Sequence, residues 1–249
     1  MILKNPSVGL FLEMGLGKSV IALTAVQRLW YDLETNHVLV IAPLKVAEDT
    51  WSRECEKWDH LRDLKISKIL GSRQKREAAI EKDADIYVIN RENVSWLVEN
   101  YSRRWKWDML IIDELSSFKN NQAERFKALK KVRPRFQRIV GLTGTPDPNG
   151  LMDLWAQIYL LDGGERLGRT IGSYRQTYFR PGKGDGHVVY EWLPLPGAET
   201  QITKRISDIT VSMRAADYLN LPALIFNDVH IQLSAKDMKT YKQLEREKI

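Results

Sequence analysis

A glycine-rich turn between an apolar run and a helix constrains the fold of this chain more than any other segment. The turn reads Glu-Met-Gly-Leu-Gly-Lys-Ser over 13–19, after the apolar run 8–12 and before an apolar-periodic stretch, 20–26. Glycines in such a turn allow backbone N–H groups to close around an anion, and the following helix directs the positive end of its dipole there. The order of strand, turn and helix therefore predicts a phosphate-binding loop.

Lys18 and Ser19 supply the chemistry expected of such a loop. A lysine here reaches the β- and γ-phosphates of a nucleotide, and the adjacent hydroxyl holds Mg²⁺. The full pattern has another glycine five places before Gly17, where this chain has Leu12. A glycine turn that only opens a helix therefore remains the alternative. The predicted nucleotide-binding residues are Glu13, Met14, Gly15, Leu16, Gly17, Lys18 and Ser19.

Two acids, Asp113 and Glu114, end a second apolar run at 109–112. A strand that is apolar throughout suits the centre of a parallel sheet covered on both faces, and open α/β sheets bind ligands at the carboxyl ends of their strands. Asp113 is then placed to hold Mg²⁺ through water, and Glu114 to orient and deprotonate an attacking water. Capping the next helix is the alternative role of this pair.

A third apolar run, 139–142, ends in Thr143, Gly144, Thr145 and Pro146. Small hydroxyl and glycine residues at a strand tip can sense the γ-phosphate and relay its loss. The segment is also rich in turn formers, so a plain turn is the alternative.

Strand and helix signals alternate through the first 150 residues, which predicts a parallel sheet with helices on both faces. Between the motifs we expect strands at 38–42, 64–70 and 86–90, and helices at 46–58, 72–82, 94–101 and 122–131. The later pattern predicts helices at 151–160 and 199–207, a glycine-rich turn at 181–186, a hairpin arm at 187–192 and a strand at 224–233. Ser234 is typical of the cap of a final, highly charged helix.

Bulk composition narrows the class of protein. The 249 residues carry a formal net charge of +6, a mild basic excess that is compatible with nucleic acid without identifying it. Cys55 is the only cysteine and the four histidines are scattered, which excludes internal disulfides and argues against a zinc cluster. No apolar run reaches the roughly 18 residues of a membrane span, and no signal peptide pattern is evident, so we expect no membrane contact. Trp51 and Trp58, on the helix predicted at 46–58, are expected to face the core.

Four segments, in order along the chain, resemble motifs I, Ia, II and III of the SNF2-like ATPases of helicase superfamily 2. They are the turn at 13–19, Val-Ile-Ala-Pro-Leu at 40–44, Asp113-Glu114, and Leu-Thr-Gly-Thr-Pro at 142–146. The sequence of residues 42–51 is similar to sequences of the phage and prophage branch of the family. The segment 211–214, followed by 219–222, resembles the stretch that closes the family's insertion.

The resemblance implies an α/β fold with three layers: a RecA-like P-loop NTPase lobe with a central, mostly parallel sheet, plus a SNF2-type helical insertion. The lobe would occupy 1–150, the insertion with its glycine-rich loop 151–222, and the last strand with an exit helix 223–249. ATP and Mg²⁺ would be the cofactors, in the cytoplasm of a bacterium or a phage-infected host. The implied roles are catalysis by Lys18 and Glu114, metal binding by Ser19 and Asp113, and coupling of nucleotide state to DNA by Thr143, Gly144 and Thr145.

Double-stranded DNA is the partner that the resemblance implies. The family tracks one strand of the duplex through its phosphates rather than its base edges. The positions that match the family's contacts are Pro43, Leu44, Lys45, Asn90 and Arg91.

The resemblance also implies parts that this sequence does not include. The family has a second RecA-like lobe with arginine fingers, expected beyond residue 249, and a helix with an adenine-contacting glutamine, expected before Met1. A lobe without them should bind nucleotide weakly and hydrolyse it very slowly. Motif II also departs from the family pattern, because Leu115 and Ser116 follow the two acids in place of a small residue and a histidine.

Other functions stay open at this point. The nearest alternative is another superfamily 2 motor, such as a restriction-enzyme translocase or an RNA helicase. An unrelated P-loop kinase would need a lid with arginines and is not expected to carry both the acid pair and the Thr-Gly-Thr-Pro tip. A non-catalytic DNA-binding module is disfavoured because Lys18, Asp113 and Glu114 are all intact.

Overall fold

A computed structural model describes residues 1–144, 146, 150–185, 189–219 and 233–247. Its contacts divide the chain into two units, Met1–Asp217 and Tyr218–Ile249. The predicted strand at 224–233 lies, apart from Leu233, outside the described residues, as does Thr145. Among the described helices, none is both long enough and apolar enough to cross a membrane.

The first unit contains a seven-stranded and a two-stranded sheet. In chain order the strands are β1 Ser7–Leu12, β2 Val38–Ala42, β3 Ile66–Ile69, β4 Ile86–Asn90, β5 Met109–Asp113, β6 Arg138–Thr143, β7 Phe179–Pro181, β8 Trp192–Pro194 and β9 Thr210–Met213. The helices of the chain are α1 Lys18–Tyr31, α2 Trp51–Lys57, α3 Arg73–Ile80, α4 Val94–Tyr101, α5 Glu124–Val132, α6 Leu154–Asp162, α7 Ile171–Tyr178, α8 Ala198–Ile206, α9 Ala215–Tyr218 and α10 Ala235–Glu247.

The large sheet has the order β3-β4-β2-β5-β6-β1-β9, and every pairing in it is parallel. Parallel pairing places the carboxyl ends of all seven strands at one edge. The register sets Asp113 opposite Leu142, and Thr143 opposite Phe11. The tips that carry the acid pair, the Thr-Gly segment and the glycine-rich turn are therefore neighbours, as the sequence predicts.

Alternate residues of the central strands pack on opposite faces of the sheet. In β5, Leu110 and Ile112 belong to one apolar cluster, while Met109 and Ile111 belong to the other. The first cluster includes side chains from α3 to α8, and the second includes side chains from α1 and α2. Burial on both faces explains why these strands are apolar throughout. The predicted three-layer α/β fold with a parallel sheet is confirmed.

Several elements differ from the sequence prediction, among them β7, β8 and α9. The helix expected at 46–58 is a π-helical segment, Val46–Thr50, followed by α2, and Trp58 is 38% exposed rather than in the core. The helix α7 is not among the expected elements; it has only eight residues, and one of them is glycine. The strand β9 was not predicted either, since it has only four residues and is partly exposed.

Residues 151–222, which are expected to hold the insertion, include elements that belong to the large sheet and its cover and elements that do not. The helix α6 packs against β1 and β6, and β9 pairs with β1, so both belong to the large sheet and its cover. The strands β7 and β8 form a separate antiparallel hairpin, with a further bridge between Gly184 and Val189. In the second unit, the Ser234 hydroxyl accepts a hydrogen bond from the Asp237 N–H at the start of α10, as expected of a cap.

Candidate nucleotide-binding site

The turn between β1 and α1 depends on two glycines. Gly15 and Gly17 have φ angles of 85° and 71°, and Gly17 is the N-cap of α1. Residues with a Cβ rarely adopt this left-handed conformation, so glycine is required at these two positions. The turn ends directly in the helix N-terminus, which is the arrangement that binds phosphate in loops of this kind.

The ammonium group of Lys18 lies within the turn that precedes it. Its Nζ donates hydrogen bonds to the backbone oxygens of Leu12, at 2.6 Å, and Glu13, at 3.2 Å. The strands β1 and β5, which precede Lys18 and end in Asp113, lie on either side of β6, so both residues stand at the carboxyl edge of the sheet.

The Asp113 carboxylate is mostly buried at the end of β5. Burial raises its pKa, and the charge of Glu114 acts in the same direction. The indole N–H of Trp51 donates to Oδ2 of Asp113 at 3.1 Å, and this hydrogen bond favours the charged form. The backbone N–H of Glu114 and the positive charge of Lys18 favour it as well.

Glu114 has the backbone conformation of a strained residue. Its φ is 59°, and Leu33 is the only other non-glycine with positive φ in the described part of the chain. Strained backbone of this kind clusters at functional sites, where surrounding contacts hold it in place. Oε1 of Glu114 accepts hydrogen bonds from the hydroxyls of Ser116 and Thr143, the second at 3.1 Å.

The tip of β6 approaches the glycine-rich turn closely. A Cβ added at Gly144 would lie 3.6 Å from the backbone oxygen of Leu12 and 3.7 Å from the Cα of Glu13. Thr143 is fully buried, and its hydroxyl contacts the predicted base. The structure thus brings together Lys18, Asp113, Glu114, Thr143 and Gly144.

Comparison with known proteins identifies the family. Residues 4–249 match the model of the family described as SNF2-related domain. The chain belongs to this family. It is 39% identical over 241 residues to putative protein p41 of Acyrthosiphon pisum secondary endosymbiont phage 1, covering 94% of this chain and 52% of p41. The SNF2-like resemblance noted in the sequence is confirmed.

Two further similarities concern a relative and a solved structure. The chromatin remodeling factor mit1 of Schizosaccharomyces pombe (strain 972 / ATCC 24843) is 32% identical over 161 residues, which are 60% of this chain and 11% of mit1. The Sulfolobus solfataricus SWI2/SNF2 ATPase core in complex with dsDNA has a TM-score of 0.69 at 23% identity, over 96% of this chain and 47% of that chain. This similarity shows the RecA-like fold. The chain spans about half the length of p41 and of the Sulfolobus chain.

The oxygen atoms of this SNF2-related site suit magnesium. Ser19 lies in the first turn of α1, beside Lys18, and Asp113 offers a carboxylate. The described residues contain no group of three or more His, Cys, Asp and Glu side chains that could hold a metal ion by themselves. Mg²⁺ needs no such group, because it is commonly bound by one or two carboxylates together with substrate phosphates and water. The residues present therefore fit the metal that the family implies.

The side chain of Glu13 contacts the segment that follows β9, the edge strand paired with β1. Its backbone N–H donates to the Met213 oxygen at 3.1 Å, and its Oε2 accepts from the Ala215 N–H at 2.7 Å. These contacts tie the turn to β9 and α9. Met14, by contrast, is 86% exposed at the apex of the turn.

The two segments expected to contact DNA leave the same edge of the sheet. They follow β2 and β4, which pair with Ala42 opposite Asn90. Leu44 and Lys45 are exposed, and Pro43 is half-buried. Arg91 pairs with Glu92 at 2.9 Å. Asn90 is buried, and its amide bonds to Asn93 and Glu92, so it shapes the turn rather than facing solvent.

Sequence reasoning missed two contacts of the acid pair. Trp51 was predicted only as a core residue, because nothing in a helical pattern shows that an indole N–H meets a carboxylate. Ser116 was noted as a departure from motif II, and its hydroxyl bonds to the acid two positions earlier. Leu115 is fully buried, against Gly141 of β6.

Proposed function

We propose that this chain is the ATP-binding lobe of a SNF2-type, DNA-dependent ATPase, and that the two-lobed protein couples ATP hydrolysis to movement along duplex DNA. One observation carries the proposal. The strand register sets Asp113 opposite Leu142 and Thr143 opposite Phe11, and the Thr143 hydroxyl donates to Glu114, so the tips of three neighbouring strands meet at one edge of the sheet. Family membership and the fold support the same reading.

The proposed division of labour follows the chemistry of each group. The backbone of 13–19 and the ammonium of Lys18 hold the triphosphate, while Ser19 and Asp113 hold the metal. Mg²⁺ bound there would offset the charge of the β- and γ-phosphates. Glu114 orients the attacking water and accepts its proton. Thr143, which donates to Glu114, then relays the nucleotide state toward the DNA-contacting segments, together with Gly144 and Thr145.

The proposed organisation has a lobe at 1–150, an insertion at 151–222 and an exit segment at 223–249, followed in the whole protein by a second RecA-like lobe. Within 151–222, α6 and β9 complete the sheet of the lobe and its cover, so the insertion proper is the part between them. The coverage of about half of p41 is consistent with this organisation. An arginine finger supplied by that second lobe would be worth about 10³–10⁵ in rate. The isolated chain should therefore bind nucleotide weakly and hydrolyse it very slowly.

Nucleotide binding tests the proposal directly. Calorimetric titration with ADP and Mg²⁺ should show weak, saturable binding that Lys18→Ala abolishes. Lys127→Ala, which removes an exposed lysine on α5, is the matched control and should bind as the wild-type chain does. Equal binding by all three proteins would contradict the assignment of the site.

Phosphate release tests the second part of the proposal. The isolated chain should release phosphate from ATP at close to the uncatalysed rate, with or without duplex DNA. Robust turnover stimulated by DNA would show that a second lobe is not needed. In a version that includes the second lobe, duplex DNA should stimulate turnover more than RNA does. The reverse order would favour an RNA helicase.

A further inference from the structure

Trp51 reaches the acid pair from a different part of the fold. It is the first residue of α2 and follows the π-helical segment Val46–Thr50, which itself follows the end of β2. π-Helical turns are rare and are frequently found at functional sites. Here the wider turn is followed by an indole whose N–H donates to Oδ2 of Asp113 at 3.1 Å.

Burial alone does not account for this hydrogen bond. Trp51 is fully buried, and so is Trp107, at 1% exposure. The indole N–H of Trp107 has no hydrogen-bond partner among the described residues. The fold therefore tolerates a buried indole without an acceptor, and the contact between Trp51 and Asp113 is specific to the site.

We propose that Trp51 is a positioning residue for Asp113, which holds the orientation of its carboxylate so that it can bind the magnesium of a Mg²⁺–nucleotide complex. The inference rests on the proposed function. Partners that orient a metal ligand fix its geometry, and their loss typically costs about 10- to 100-fold in metal affinity or activity. The indole N–H holds Oδ2 and so restricts rotation of the carboxylate about its Cβ–Cγ bond.

The substitution Trp51→Phe removes the N–H and keeps an aromatic ring. Trp107→Phe is the matched control, since it removes a similar ring volume near the opposite end of β5 and breaks no hydrogen bond. ADP binding is titrated against Mg²⁺ concentration, and again in EDTA. Trp51→Phe should raise the Mg²⁺ concentration for half-maximal binding by about tenfold, with unchanged affinity in EDTA. Trp107→Phe should change neither.

Three results would overturn the inference. Equal Mg²⁺ dependence in Trp51→Phe and Trp107→Phe would assign the effect to packing. Equal loss of ADP affinity with Mg²⁺ and with EDTA would show a general defect of the pocket. A wild-type chain that binds no ADP in either condition would overturn the proposed function as well, which distinguishes the two failures.

A measurement on the wild-type chain covers the case in which Trp51→Phe does not fold. The indole N–H resonance of Trp51, assigned from its contacts in a ¹⁵N-resolved spectrum, should shift when Mg²⁺ and ADP are added together. It should stay in place when ADP is added in EDTA. A resonance that is insensitive to Mg²⁺–ADP would contradict the proposed link to the metal-holding carboxylate.

Discussion

Ser116 helps to keep the geometry of motif II, although the chain departs from the usual sequence of that motif here. It stands where the family has histidine, and its hydroxyl donates to the carboxylate of Glu114. Glu114 holds a left-handed backbone conformation, which persists only where contacts stabilise it. The hydroxyl therefore helps to fix the proposed base in place, although it supplies no ring to connect that base with DNA.

Replacing Ser116 with alanine should destabilise the chain. A hydrogen bond to a charged group is worth about 1.5–3 kcal/mol, and Ser116→Ala leaves the bond from the Thr143 hydroxyl to Oε1 in place. The control is Ser117→Ala, because the buried hydroxyl of Ser117 has no hydrogen-bond partner within the described parts of the chain, and its loss should be neutral or stabilising. Urea unfolding measures both variants. Equal unfolding midpoints for the two would refute the role given to Ser116.

Cys55 should be chemically inert in the folded chain. Burial, with the negative charges of Glu54 and Glu56, raises the pKa of its thiol to about 11. Because the thiolate is the reactive form, labelling by a disulfide reagent at pH 8 should be slow, and fast in denaturant. An unfolded cysteine titrates near pH 8.5, so this group lowers stability as the pH rises from about 8.5 to 11. Rapid labelling of the native chain at pH 8 would disprove its burial.

At the scale of elements, strand β6 and the turn after β5 are fitted to each other. A Cβ added at Gly141 would lie 2.5 Å from Cδ2 of Leu115 and 3.1 Å from Cδ2 of Leu161. Leu115 takes the place where the family has a small residue, and the absence of a side chain at Gly141 makes room for it. The departure from motif II is thus matched within the neighbouring strand.

Gly141→Ala should therefore overpack this contact and cost about 1–3 kcal/mol in the free energy of unfolding. In a Leu115→Ala background the closest contact is gone and the contact with Cδ2 of Leu161, at 3.1 Å, remains, so the same substitution should cost less. Gly172→Ala, in helix α7, is the control. The new Cβ would lie 3.7 Å from its nearest atom, so this substitution should raise the free energy of unfolding by up to about 1 kcal/mol. Denaturant unfolding of the double-mutant cycle measures the coupling. Strict additivity would mean that the two residues do not share the space.

The elements also show what sequence can predict in such a chain. The bounds of β2, β4 and β6 follow from continuous apolar runs, because both faces of a central strand are buried. The short strand β9 carries no such pattern, since it lies at the edge of the sheet and takes its partner from a distant part of the chain. The π-helical turn before Trp51 departs from α-helical geometry, and the apolar periodicity of the segment does not reveal it.

In the candidate site, too, some features can be predicted from the sequence and others cannot. Strand tips at one edge, with Lys18, Asp113, Glu114 and Thr143 on them, could be predicted because parallel pairing forces their proximity. The partners of these groups could not. The indole of Trp51 lies 62 positions before its acceptor, and sequence offers no signal for a contact of that kind.

For the whole molecule, the distribution of charge decides how DNA would bind. The net charge of +6 is mild, so attraction without defined contacts should be weak at physiological salt. The proposed contacts lie on one edge of the sheet, at the exits of β2 and β4. If DNA phosphates contact this edge, an exposed lysine at the edge should contribute more to DNA affinity than an exposed lysine elsewhere.

Lys45→Gln should weaken duplex DNA binding and reduce the slope of log K against log salt by about 1, because one phosphate contact releases roughly one counterion. The control is Lys4→Gln, an exposed lysine that precedes β1 at the opposite end of the sheet. Fluorescence anisotropy between low and moderate salt, with duplexes of unrelated sequence, measures both slopes. Because phosphates carry no base identity, the loss at Lys45 should be similar for every duplex. Equal slopes for the two variants would show that the exit of β2 does not contact DNA.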